Sequence, residues 1–228
     1  MCSVKEIYDK LKGEYLIKEE EYIAYLVCNK EKDLFKTLVA TILSQNSTDK
    51  AAILAYQNLD KNVGVHPDTL SRIEIDKIKE YIRVTGLANS KSRYIKNVAN
   101  AFLSLDKEVF SDCEKAREFL LGIEGVGEKT ADVVLLTCLK CRVFPIDTHI
   151  RRVMTRLGIF GEKPSYKKIS EGVKMELNPE ELLHFHHLLI AHGRRVCKAK
   201  KPLCEKCVLK YCCEYYNRLG KSQGISSP

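Results

Sequence analysis

Residues 119–139 read Phe119-Leu-Leu-Gly122-Ile-Glu-Gly125-Val-Gly127-Glu-Lys129-Thr-Ala-Asp-Val-Val-Leu-Leu-Thr-Cys138-Leu. The pattern is a helix, a tight turn at Gly125-Val126-Gly127, and a second, strongly apolar helix. Two glycines in three residues permit positive φ and let the backbone approach a ligand closely. The amides that follow open a helix, whose unsatisfied N–H groups and positive dipole end attract phosphate. An ordinary helix-helix connection would use the same glycines. Lys129 weighs against that plain reading. A cation in the first turn opposes the dipole, so an anion or a chemical role explains it better than helix stability does.

Outward from this stretch the helical spacing continues, in sets such as Val4, Ile7, Tyr8, Leu11 and Ile95, Val98, Ala99, Phe102. Asp33, Thr48, Asp68, Ser90, Ser111 and Thr148 stand where helices would start, and Pro179 suits a first turn. Gly13, Gly86, Gly158 and Gly193 would stop them. The expectation is an all-α chain of about ten to twelve short helices. Its 228 residues, 45% hydrophobic, suffice for one large domain or two small ones. The longest stretches without a charged side chain, residues 37–48 and 182–193, fall short of the ~18 to 20 residues a membrane span needs. No apolar run follows a basic start, so the expected location is cytoplasmic, with no membrane partner. The tail from Gly220 to Pro228 is expected to fray.

The net charge of +8 is uneven: residues 140–228 hold 18 Lys and Arg against 8 Asp and Glu, and carry the whole excess. A basic half suits a polyanion such as nucleic acid, although a solvated basic surface looks the same. In that half, Phe144-Pro-Ile-Asp147-Thr-His149 places a carboxylate at a helix start, a common capping position. Paired with Lys129 it has a second reading. A lysine amine can attack a sugar's anomeric carbon and form a Schiff base, while a carboxylate stabilises the developing positive charge.

Five of the ten cysteines fall within residues 197–213, at 197, 204, 207, 212 and 213. A zinc ribbon wants two Cys-x-x-Cys knuckles and this segment has one, so iron-sulfur ligation fits better. Between Cys197 and Cys204, Lys198, Lys200 and Lys201 sit on a short tether suited to a phosphate backbone. Cys138 and Cys141 end an apolar helix and are expected to be buried thiols. The histidines at 184, 186, 187 and 192 lack metal-protease spacing and read as packing or supporting polar groups.

Three features now share one chain in one order: Ile123-Glu-Gly-Val-Gly-Glu-Lys129-Thr-Ala, Ile146-Asp147-Thr-His, and Cys197-x6-Cys204-x2-Cys207-x5-Cys213. Together they resemble the endonuclease III family of helix-hairpin-helix DNA glycosylases, over roughly residues 30–216. The resemblance also takes in Leu43-Ser-Gln-Asn46-Ser-Thr-Asp49, Thr85-Gly-Leu87-Ala-Asn-Ser-Lys91 and His186-His-Leu-Leu-Ile-Ala-His-Gly193. It implies a six-helix domain over residues 31–141 and an iron-sulfur domain built from residues 1–30 and 142–228, with a DNA-binding cleft between them. Lys129 would displace the damaged base and drive strand cleavage by β-elimination, with Asp147 as its carboxylate. Gly125, Val126 and Gly127 would hold phosphate, while Asn46 and Leu87 would fill the gap left by a flipped nucleotide. Cys197, Cys204, Cys207 and Cys213 would bind a 4Fe-4S cluster, leaving Cys212 spare.

The implied partner is double-stranded DNA with damaged bases or abasic sites, bound by a monomer. Two acidic residues, Glu124 and Glu128, stand near the hairpin where the family usually has Pro and Arg. Asn46 replaces the more usual Gln, with Gln45 directly before it. Relatives that excise mismatched thymine or adenine lack lysine at the position of Lys129, which favours a bifunctional enzyme acting on oxidised pyrimidines. The alternatives are a monofunctional uracil or mismatch glycosylase and a non-catalytic iron-sulfur DNA-binding protein.

Overall fold

The computed structural model describes residues 2–222, which form thirteen α-helices, a few short 3-10 turns and no strand. The all-α expectation holds. The chain divides into two compact units, Lys18–Cys141 and a second made of Met1–Ile17 with Arg142–Pro228. The central unit contains α2 (Ile23–Glu31), α3 (Leu34–Ser44), α4 (Asp49–Asn62), α5 (Pro67–Arg72), α6 (Ile75–Ile82), α7 (Ala88–Leu103), α8 (Cys113–Leu121) and α9 (Glu128–Cys138). These are eight helices rather than six. Extended residues Ile73 and Glu74 separate α5 from α6, and α2 packs on α3 and α9, so the unit begins at Lys18 rather than near residue 31.

α3 and α9 form the centre of this unit. Leu38, Val39, Ala40, Ile42 and Leu43 of α3 are fully buried, and α9 is buried continuously from Thr130 to Thr137. A helix covered on every side must carry apolar residues all round, which is why Val133 to Leu136 run without a polar break. Each large side chain so buried contributes ~1.5 to 3 kcal/mol. The one charge in that run, Asp132, is 2% exposed and meets Arg117 Nε of α8 at 2.7 Å.

The second unit contains α1 (Val4–Glu14), α10 (Thr148–Leu157), α11 (Tyr166–Glu176), α12 (Pro179–Arg195) and α13 (Glu214–Ser222). α12 is its core, packed by α1 and α10. Start signals at Asp33, Thr48 and Pro179 coincide with observed caps or first turns. Others shift by one to three residues: His66, Leu87, Asp112 and Asp147 are the caps observed in place of Asp68, Ser90, Ser111 and Thr148. Gly158 ends α10 in the left-handed region. Gly13 and Gly193 do not stop their helices; a Cβ at Gly193 would lie 2.8 Å from His149 Cβ, so that glycine serves close packing. α13 carries the tail's first residues as helix, and residues 223–228 lie outside those described.

Two disulfides correct the cysteine expectations. Cys113 bonds Cys141, which is therefore not a free buried thiol, and Cys2 bonds Cys212, which is therefore not spare. Cys138, half-buried, faces Cys28.

Candidate active site and nucleic-acid interface

Gly125 has φ +99°, and a Cβ there would fall 2.2 Å from Tyr94 Cγ, so only glycine fits. The Val126 side chain is buried and its amide donates to Ile123 O at 3.0 Å, which leaves this residue as the turn's anchor. Gly127 is exposed, and a Cβ there would meet nothing, so it keeps the approach to the backbone open. It is also the N-cap of α9 and lacks a side chain to cap the first amides, which face an anion-attracting dipole end. The two acidic departures are each matched by an arginine of the same unit: Glu124 by Arg93 and Glu128 by Arg117, both at 3.5 Å.

Lys129 is the second residue of α9, half-buried, directly after the hairpin. Asp147, in the other unit, caps α10: its Oδ1 accepts the Ile150 amide at 2.7 Å. The cap occupies one carboxylate oxygen and fixes the direction of the other. The segment before it is buried at Phe144 to Ile146, and His186 Nδ1 lies 3.1 Å from Pro145 O. A carbonyl only accepts, so that nitrogen carries the proton.

Asn46 and Leu87 both adopt left-handed backbone conformations, φ 49° and 61°, and both side chains are exposed. Asparagine tolerates this region, but for leucine it is costly and marks a functional constraint. The two loops touch, since a Cβ on Gly86 would lie 3.5 Å from Asn46 O. Gln45 points elsewhere: its Nε2 donates to Thr130 Oγ1 at 3.1 Å and to Gly125 O at 3.3 Å, tying α3 to the hairpin. Asn46 is thus the side chain presented outward.

Lys91 was not among the sequence candidates. It is fully buried on α7, and its Nζ donates to Leu43 O at 2.8 Å and Ser47 Oγ at 2.7 Å, bracing the loop that carries Asn46. Burial pushes its pKa down to about 8. The signal was present: Lys91 falls on the apolar face of Ile95, Val98 and Ala99.

In the second unit Cys197, Cys204, Cys207 and Cys213 are free and half-buried, and with Arg156 and His192 they line a small cavity. Among the described residues no three His, Cys, Asp or Glu side chains converge to hold a single metal ion; the four thiols surround the cavity instead. Burial pushes Cys207 up to about 11 and raises Cys204 and Cys213, so these sulfurs stay protonated unless a metal displaces the protons. Nitrogens already face two of them: Arg156 Nη1 donates to Cys197 Sγ at 3.3 Å, and His192 Nε2 lies 3.5 Å from Cys207 Sγ. A set of four thiolates with an N–H donor to sulfur fits an iron-sulfur cluster. Arg156 also donates to Lys198 O and Ala199 O, at 2.7 and 3.1 Å, and holds the loop on which Lys198, Lys200 and Lys201 are exposed.

Comparison with known proteins gives the family and the fold. Residues 39–179 match the profile of the HhH-GPD superfamily base excision DNA repair proteins. Endonuclease III of Sulfolobus acidocaldarius is 54% identical over 95% of this chain and 97% of its own. Endonuclease III of Escherichia coli is 32% identical over 81% and 85%. Among solved structures, the protein of a non-covalent endonuclease III-DNA complex superposes with TM-score 0.76 at 25% identity, covering 97% of this chain and all of that one. A thermostable thymine-DNA glycosylase superposes at 0.74 with 20% identity, covering 94% and 95%, a likeness of fold alone.

Proposed function

The chain belongs to the endonuclease III family, within the HhH-GPD superfamily of base excision DNA repair proteins, and on that premise we propose that it is a bifunctional DNA glycosylase and abasic-site lyase that removes oxidised pyrimidines from duplex DNA. The observation that carries this reading is Lys129, a cation in the first turn of α9 immediately after a hairpin built to receive phosphate. Its amine attacks the anomeric carbon, the base departs, and the resulting Schiff base allows β-elimination of the 3′ phosphate. Asp147 stabilises the oxocarbenium charge and assists proton transfer. Gly127 and the amides after it hold the backbone, while Asn46 and Leu87 occupy the space of the flipped nucleotide.

Cys197, Cys204, Cys207 and Cys213 would hold a 4Fe-4S cluster. With every ligand a protein thiolate, the cluster would supply structural closure and leave no position to activate water. It would thereby present Lys198, Lys200 and Lys201 to phosphates. We place the enzyme in the cytoplasm, acting as a monomer. The test is borohydride trapping on a duplex with one oxidised pyrimidine: the parent forms a covalent adduct and Lys129→Gln forms none. Full strand cleavage by Lys129→Gln would refute the nucleophile assignment, and a parent that excises the base yet never traps would turn the reading to a monofunctional glycosylase.

A further inference from the structure

Of the ten cysteines, four line the cavity of the second unit and four are joined in the two disulfides. The remaining two are Cys28 of α2 and Cys138, the last residue of α9, and they face each other with Sγ atoms 2.7 Å apart. Non-bonded heavy atoms rest at ~3.5 to 4.0 Å, whereas a disulfide bond spans ~2.05 Å. We propose that Cys28 and Cys138 are a third disulfide site, which covalently joins α2 to the end of α9.

The neighbourhood suits the reaction. The S–H of Cys138 donates to Cys28 and, with Lys32 and Lys140 nearby, lowers the Cys28 pKa from the ordinary thiol value, which favours Cys28 as the attacking sulfur. Cys138 is the more exposed of the two and gives an oxidant its entry. In the reaction one thiolate of the pair attacks a sulfur of an external small-molecule disulfide and expels a thiolate. The second cysteine then gives up its proton and displaces the other half. Two protein thiols are oxidised, and one external disulfide is reduced to two thiols.

The position gives the bond a purpose. Cys113–Cys141 already ties α8 to the segment just after α9. A Cys28–Cys138 bond would tie α2 to the same end, about nine residues, or roughly 14 Å, from Lys129 along the helix. The helix bearing Lys129 would be fixed at its base to both neighbours. Disulfides are rare in the cytosol except in hyperthermophiles, where crosslinked intracellular proteins are common.

The experiment counts thiols in the full-length holoprotein, acid-quenched, freed of metal and alkylated with N-ethylmaleimide under denaturing, non-reducing conditions. Four adducts by intact mass, with a linked peptide containing Cys28 and Cys138, is the expected result. Six adducts, with both residues labelled, overturns the proposal. A Cys28→Ala, Cys138→Ala double variant should melt ~5 to 15 °C below the parent while keeping its iron. Identical melting of parent and double variant also overturns it.

Discussion

Replacing Lys91 with methionine keeps the length of the side chain and removes its charge and both hydrogen bonds. Buried in α7, the ammonium has its pKa lowered to about 8, whereas the unfolded chain holds that proton to ~10.4. Between these values the unfolded state binds more protons than the folded one, so the parent becomes more stable as pH rises through the window, by about 3 kcal/mol over its full width. Below pH 8 both states are protonated and Lys91 contributes no slope. At pH 7 the variant loses the donors to Leu43 O and Ser47 Oγ, ~1 to 3 kcal/mol each, and escapes a desolvation cost of about 3 kcal/mol. Its stability should therefore lie within ~3 kcal/mol of the parent at pH 7, and the difference should move in the parent's favour by up to about 3 kcal/mol toward pH 10. Urea unfolding of both proteins at pH 7, 8, 9 and 10 measures this directly. Parallel pH profiles would show that Lys91 titrates normally and would refute the reasoning. Because the lost bonds brace the loop of Asn46, affinity for an abasic-site duplex should also fall several-fold at pH 7.

Asp147→Asn should leave the melting temperature nearly unchanged, since Asn caps as well as Asp, and slow base excision ~10²- to 10⁴-fold; a rate within a few-fold of the parent reduces Asp147 to a cap. Changing Lys198, Lys200 and Lys201 to Ala should weaken binding to every duplex alike and flatten the slope of log affinity against log salt by up to ~2 to 3 units, measured by fluorescence anisotropy. An unchanged slope there means that the loop is merely solvated. Arg117→Met removes the ion-pair partner at 2.7 Å from a carboxylate that is 2% exposed and should cost about 3 kcal/mol in urea unfolding, while adding Asp132→Leu recovers most of it. A single-variant loss under ~1 kcal/mol would mean that Asp132 is satisfied by its other contacts.

The hairpin, the lysine after it and the cysteine spacing were legible because each is local: a few consecutive residues specify the turn, the cap or the ligand set. Residues acting across long separations were not. Gln45 reaches Gly125 and Thr130 about eighty positions away, Arg117 reaches Asp132 from another helix, and Cys2 pairs with Cys212 from the far end of the chain. No local pattern encodes such partners. Lys91 was a different failure. A charge on an apolar face is normally discounted as snorkelling, and only the carbonyl waiting at Leu43 explains its burial. Helix starts slipped by one to three residues where several capping residues stood together, as at Ser111 and Asp112.

The second unit is assembled from both sides of the first in sequence, with α1 packed on α12 and Cys2 bonded to Cys212. On the ribosome, this gives the two units different schedules. Residues 18–141 emerge as one uninterrupted stretch and can fold as soon as α9 clears the exit tunnel. Residues 2–17 are made first, yet have no lasting place until α12 appears, more than 160 residues later. A nascent chain with α9 outside the tunnel but α12 still inside it would therefore present a finished hairpin and Lys129 but none of the four cavity cysteines, and its α1 would be an amphipathic helix with its buried face, Val4, Ile7, Tyr8 and Leu11, still uncovered.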